Sequence, residues 1–436
     1  MEALQFVFNP ALYVLAKAAG AVHPAAFASR IGLLRYGDVP EPKLPGPEWV
    51  KIDTIMGGIC GSDLSLIALE DSPSLSPLAS FPFVVGHENV GVVRETGAAV
   101  TEVQPGQRVV ADPLLPCAVR GFKDLCPACA AGRPNRCLRF TEGDIAPGLL
   151  LGHCRDTGGS WGATYVAHRS QLIPVPDHVS NENALMAEPF GCALHAVALA
   201  DVAPGSTVLV IGGGVIGLSV VAALKVLAPH ARVIALVRHA FQAERAKKYG
   251  AHGVLRPRRG EQYREVAEAL GAKLLKPVLG APVLVGGADV VFECAGSPGA
   301  LNDALRFARP GGKVVLVGLA SFPRGIDWSF IWQRELQIQG VFASGPIDTP
   351  LGRMTAMQYA MRLFADGTVD LSDMVTHRFA LKDYRQALAT AWSKKTSGCL
   401  KAVLIPDTAV ARAWTGGRRE PAPVTEVTAA AGRDMV

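Results

Sequence analysis

Ser206-Thr207-Val208-Leu209-Val210-Ile211-Gly212-Gly213-Gly214-Val215-Ile216-Gly217 reads as an apolar strand that turns through glycines into a helix. Its last six residues fit G-x-G-x-x-G, and a strand before and a helix after are the context in which that pattern binds a dinucleotide. Gly212 makes the tight turn, Gly214 lets a pyrophosphate reach the backbone, and Gly217 lets the helix pack close to the strand. Gly213, Val215 and Ile216 complete a turn whose N–H groups face the phosphates. Downstream, the chain alternates: a helix to about Leu227, a strand Arg232 to Val237, a helix Phe241 to Tyr249, then strands Ala288 to Glu293 and Gly312 to Val317. Such alternation predicts a parallel sheet with helices on both faces. An acid normally follows the glycine turn by about 20 residues and binds the ribose of NAD. This chain has Leu236-Val237-Arg238-His239 there, and Arg238 suits a 2′-phosphate. NADP(H) is therefore expected over NAD(H).

Upstream the pattern differs. After Pro40, Pro42, Pro45 and Pro47 come short β-type runs at Trp49–Met56, Val90–Glu95, Arg108–Ala111, Thr164–Ala167 and Leu172–Val175, an all-β arrangement. A length of 436 residues fits two domains, and 49% hydrophobic against 19% charged residues fits a globular chain. The net charge of +5 without a Lys/Arg block argues against a nucleic-acid partner. The N-terminus is apolar but broken by Asn9, Pro10 and Lys17, which fits neither a signal peptide nor a membrane span. A cytoplasmic location follows as the expectation. Residues 1–35 read as a helical or irregular extension, Leu270–Gly287 as a long connection, and 406–436 as a disordered tail.

Two clusters carry metal chemistry. Gly58-Ile59-Cys60-Gly61-Ser62-Asp63 and Gly86-His87-Glu88 supply a thiolate, an imidazole and carboxylates. Such a mixed set with an open position is the catalytic kind of zinc site. Cys60 and His87 are the firm ligands, with the third from Glu88 or from Glu188 in Ala187-Glu188-Pro189-Phe190-Gly191. Ser62 is placed to relay a proton, and Asp63 to orient the imidazole. Separately, Cys126-x-x-Cys129 and Cys137 lie close together, with Cys117 as a fourth across a longer loop. Four thiols close a tetrahedron around zinc, which is a structural role. Nine cysteines, an odd number in a large chain, fit metal binding better than a disulfide framework.

With Glu293-Cys294-Ala295-Gly296, these motifs make residues 36–405 resemble the zinc-dependent medium-chain dehydrogenase/reductase superfamily, the alcohol and polyol dehydrogenases. The resemblance implies an α/β plus all-β fold. A GroES-like β-barrel catalytic domain would span 36–200 and 344–405, with a structural zinc lobe at about 115–140. A Rossmann doubly wound parallel-sheet cofactor domain would span 201–343, with the active site in the cleft between the two. It implies hydride transfer between a small alcohol or carbonyl substrate and NAD(P), no membrane partner, and a homodimer or homotetramer. Glu88 and Glu188 would complete the catalytic zinc shell. Cys294, Val317 and Leu319 would lie by the nicotinamide, and Lys401 near the cofactor phosphates. One departure is visible: the family's first lobe cysteine stands three residues before the second, where this chain has Lys123. Ile67, Trp161, Phe190 and Phe342 are candidate cleft walls. An NADPH-dependent reductase of activated double bonds, or a non-catalytic nucleotide-binding protein, are the competing readings.

Overall fold

The computed structural model describes residues 1–258 and 260–416, which form two compact units. One comprises Met1–Glu188 and the chain from Met361 onward; the other is Pro189–Ala360. The expected domain boundaries were 200/201 and 343/344. The helix Ala187–Ala200 accounts for the first difference: it runs almost wholly in the second unit, where the Ala200 carbonyl accepts from Lys313 Nζ at 2.6 Å.

The second unit holds six parallel strands in the spatial order Gly253–Leu255, Arg232–Leu236, Thr207–Ile211, Ala288–Glu293, Ala308–Leu316, Gln337–Gly340. Counted along the chain this is 3-2-1-4-5-6, the doubly wound dinucleotide-binding order. The order reverses between Thr207–Ile211 and Ala288–Glu293, so the turns after those two strands share one edge. Val208–Ile211 and Val290–Phe292 are continuous apolar runs, as a sheet covered on two faces requires. Two short strands, Gly253–Leu255 and Gln337–Gly340, went unread because neither carries a clear period.

In the first unit, Trp49–Gly58 is the organising strand. It pairs antiparallel with Asn89–Thr96 along nearly its whole length, with Thr164–His168 over its first half, and with Lys401–Ile405 at its end. Arg108–Ala111 and Leu172–Pro174 extend the sheet on one side and Val375–Ala380 on the other.

Three expectations are corrected. The N-terminal piece is no appendage. Glu2–Phe6 is the central strand of a three-stranded sheet between Leu34–Asp38 and Phe83–Val84, with Leu4 and Phe6 in the core. The helix Pro10–Val22 follows, capped by Asn9 accepting from the Leu12 amide at 3.0 Å. The connection Leu270–Gly287 contains an antiparallel hairpin, Lys273–Leu275 with Val283–Val285; its two apolar runs flank the turn formers Pro277, Gly280 and Pro282. The tail begins as a helix, Ala409–Thr415, capped by Thr408, with Ala411 buried and the Trp414 carbonyl accepting from Asn181 at 2.9 Å. The rest of the expected disordered tail, 417–436, lies outside the described residues.

Candidate active site

Cys60 is the N-cap of the helix Gly61–Ile67. The Asp63 side chain reaches back to it, Oδ2 accepting from the Cys60 amide at 2.8 Å. The other Asp63 oxygen lies 3.3 Å from His87 Nδ1. One carboxylate thereby fixes the backbone of the thiol and the rotation of the imidazole, and leaves His87 Nε2 as the nitrogen for a metal. Cys60, His87 and Glu88 each offer a donor atom within 4.8 Å of the others. Burial opposes charge on the His87 ring, yet Asp63 and Cys60 outweigh it and raise its pKa, so the surroundings favour a cation.

Glu88 is fully buried, and both its oxygens accept from Lys401 Nζ, at 2.5 and 2.6 Å. The third Lys401 hydrogen goes to the Ile59 carbonyl at 3.1 Å. This corrects the expectation for Lys401: its three donors are committed inside the first unit, leaving none for a cofactor phosphate. The approach is possible only because residue 58 is glycine, since a Cβ there would stand 1.9 Å from Glu88 Oε2. Glu188 lies outside the three-donor cluster, buried near enough to Lys401 to help hold its charge. Ser62 is half-buried in the first turn of the helix.

Of the candidate cleft walls, Ile67, Trp161 and Phe190 are core residues and only Phe342 is exposed. Trp161 donates from Nε1 to the Gly58 carbonyl at 2.9 Å and so braces the segment leading to Cys60. One residue went unread. The His153 ring lies 6.3 Å from His87 and 5.3 Å from Phe83, and burial, then His87, lowers its pKa to about 4. Its signal was present, since Gly152-His153-Cys154 sets histidine after glycine as Gly86-His87 does.

The second cluster brings all four lobe cysteines together, their sulfurs within 4.8 Å of one another. Backbone amides point at them: Cys126 at Cys117 Sγ (3.4 Å), Leu138 at Cys126 Sγ (3.5 Å) and Arg139 at Cys137 Sγ (3.3 Å). Burial raises the pKa of Cys129 and Cys137, while amide donors lower that of Cys126. None of the nine cysteines is in a disulfide. Four sulfurs with N–H donors and no further ligand suit a closed tetrahedral zinc site.

In the second unit the glycine turn fits a dinucleotide. Gly212 has φ +112°, and a Cβ on Gly217 would stand 1.9 Å from the Gly212 carbonyl oxygen, whereas the space beside Gly214 is open. Cys294, which follows the neighbouring strand, lies against Gly212. Val317 donates to the Glu293 carbonyl at 2.9 Å, and Leu319 is exposed just beyond. Arg238 is exposed after the second strand, its amide donating to Gln242 Oε1 at 3.2 Å.

The chain matches the alcohol dehydrogenase GroES-like domain over residues 46–177 and the zinc-binding dehydrogenase family over 215–363. It is 31% identical over 356 residues to the L-threonine 3-dehydrogenase of Anaeromyxobacter sp. (strain K), covering 81% of this chain and 91% of that one. It is 29% identical over 380 residues to the sorbitol dehydrogenase of Bacillus subtilis (strain 168), covering 86% and 94%. A candidate zinc-binding dehydrogenase of Sinorhizobium meliloti 1021, solved bound to NADP, superposes with a TM-score of 0.63 at 29% identity, covering 86% and 95%. The chain belongs to the zinc-dependent medium-chain dehydrogenase/reductase superfamily. Within it, the chain is an NAD(P)-dependent oxidoreductase of alcohols, with a GroES-like and a Rossmann domain. No helix among the described residues is long and apolar enough to cross a membrane.

Proposed function

We propose that Cys60 and His87, with Glu88 or Glu188 as the third protein ligand, hold a catalytic zinc at which a small alcohol is oxidised, or its carbonyl partner reduced, with NADP(H) preferred over NAD(H). The observation that carries this is the gathering of three donors beside a helix whose own capping residue, Asp63, orients the histidine. When bound, zinc supplies a Lewis acid that lowers the pKa of the alcohol, and the nicotinamide accepts the hydride. Asp63 keeps the His87 ring in its ligating orientation. Ser62, two residues past Cys60, takes the hydroxyl proton and passes it outward. Lys401 holds Glu88 back as a reserve ligand, and Glu188 stands by the same lysine as the other carboxylate candidate. Cys117, Cys126, Cys129 and Cys137 hold a second, structural zinc.

The cofactor preference rests on Arg238, a cation where NAD-binding turns carry an acid. The S. meliloti relative bound to NADP is in keeping with it. The chain is further read as a cytoplasmic homodimer or homotetramer, to be checked by mass in solution. A panel of alcohols, polyols, aldehydes and ketones with both cofactors is the direct test. Zinc-dependent turnover with a higher kcat/KM for NADP(H) is expected. Equal efficiency with NAD(H) removes the preference, and turnover unchanged in Cys60→Ala removes the site.

A further inference from the structure

His153 has had no role so far. The turn that carries it is built against the segment that carries His87. Gly152 has φ +83°, and a Cβ there would stand 2.7–2.9 Å from backbone atoms of Gly86. Gly86 itself has φ +102°, so neither position takes a side chain without strain. The His153 amide closes its turn on the Leu150 carbonyl at 3.0 Å. Two glycine–histidine pairs thus pack backbone to backbone and set two imidazoles side by side, their ring centres 6.3 Å apart.

The two rings are equipped differently. His87 has Asp63 3.3 Å from its Nδ1, whereas among the described residues His153 has no carboxylate at ion-pair distance. A ligating histidine is ordinarily oriented by such a partner. His153 also lies outside the donor cluster of Cys60, His87 and Glu88, so it is not built as a metal ligand. Its Nδ1 is sealed from solvent and has no hydrogen-bond partner among the described residues. An N–H there would be a buried, unsatisfied donor, so the neutral ring keeps its one proton on Nε2. The residue as a whole is only half-buried, which leaves Nε2 as the nitrogen that a ligand can reach. Buried polar side chains in folded proteins have partners, and here the acceptor must come from outside the chain. We infer that His153 is a specificity-determining residue: its Nε2–H donates to a second oxygen of the substrate, on the carbon next to the one that reacts. The closeness of the two rings sets that adjacency, and the substrate class is the α-hydroxy ketone with its vicinal diol. This rests on the catalytic reading of Cys60 and His87.

The test compares hydroxyacetone with acetone, which differ by that one hydroxyl and react at the same carbon. In each, the reduced nicotinamide gives a hydride to the carbonyl carbon and a proton goes to its oxygen. The kcat/KM for both ketones and the zinc content are measured in the zinc-loaded full chain, in His153→Phe and in His153→Gln. Phenylalanine fills the space and removes the donor; glutamine restores a donor. The parent should favour hydroxyacetone by about 100-fold or more, phenylalanine should cut that ratio about 10–100-fold, and glutamine should recover a good part of it. Zinc per chain should be the same in all three. Both ketones losing the same factor in His153→Phe overturns the inference, as a packing residue would give that result. Zinc lost with the histidine overturns it as well, as a ligand would give that result. So does glutamine performing no better than phenylalanine, or a parent that favours acetone or reduces neither ketone. One check needs no variant: propane-1,2-diol should inhibit acetone reduction by the parent at concentrations about tenfold or more below those of propan-2-ol. Equal inhibition also overturns it. Reduction that persists in Cys60→Ala counts against the catalytic reading itself. A ratio indifferent to His153 in a chain that needs Cys60 counts against this inference alone.

Discussion

The two donor clusters of the first unit differ in what surrounds each donor. In the lobe every donor is a sulfur, and backbone amides, those of Cys126, Leu138 and Arg139 among them, point at the set. Around Cys60 the donors are three different groups, and the carboxylate among them is held by a lysine. A uniform, closed set has nothing to give up, which suits a support. A mixed set with one donor held in reserve can open a position, which suits chemistry. The partners of the ligands, more than the ligands themselves, separate the two.

Removing one donor from each cluster tests this contrast most sharply. Cys60→Ala should cut turnover roughly a thousand-fold or more, lower zinc by one per chain and leave the melting temperature nearly unchanged. Metal analysis, steady-state kinetics and a thermal melt read all three. Cys129→Ala should do the reverse: lobe zinc is lost and the melting temperature falls by roughly 6–12 °C, as a destabilisation of about 3 kcal/mol would give, while turnover per remaining zinc stays within about threefold. Equal loss of turnover in both variants would erase the distinction.

Next in size is Lys401→Met. It leaves Glu88 buried without its cation and should cost about 3 kcal/mol by denaturant unfolding. Adding Glu88→Gln should recover part of that, because the uncompensated charge is then gone. If the double variant is less stable than the single, the pair is not acting through charge.

The smallest effect concerns Asp71. Burial, then Asp63 and Glu70, pushes its pKa up to about 6 from the ordinary 3.8. The folded state thus prefers the protonated acid. The stability this contributes is complete below about 3.8 and is lost as pH rises through about 6. In urea unfolding across that window, Asp71→Asn should lose less stability than the parent as pH rises. Parallel pH profiles would mean that burial and its acidic neighbours do not raise the Asp71 pKa.

The Rossmann unit was legible because its signals are local. A strand, a glycine turn and a helix follow one another, and Ala288–Glu293 was bounded to the residue. The metal residues were legible by type for the same reason. Lys401 and Glu88 were not legible as a pair: they stand 313 residues apart, and only the pairing of Lys401–Ile405 with Trp49–Gly58 brings them together. Glu2–Phe6 was missed because Glu2 and Gln5 interrupt a short run whose partners are remote. Trp161 was misjudged because a tryptophan between Ser160 and Gly162 looks the same in sequence whether it faces a ligand or a backbone carbonyl.

The strand Trp49–Gly58 also sets an order of events. Its last partner, Lys401–Ile405, is synthesised only after the whole of Pro189–Ala360, which is one uninterrupted stretch. On the ribosome the dinucleotide-binding unit can complete itself while the metal-bearing unit still lacks a strand. The lysine that neutralises Glu88 arrives on that late strand. Until it emerges, the nascent chain carries Glu88 without its cation, in a unit that cannot yet close.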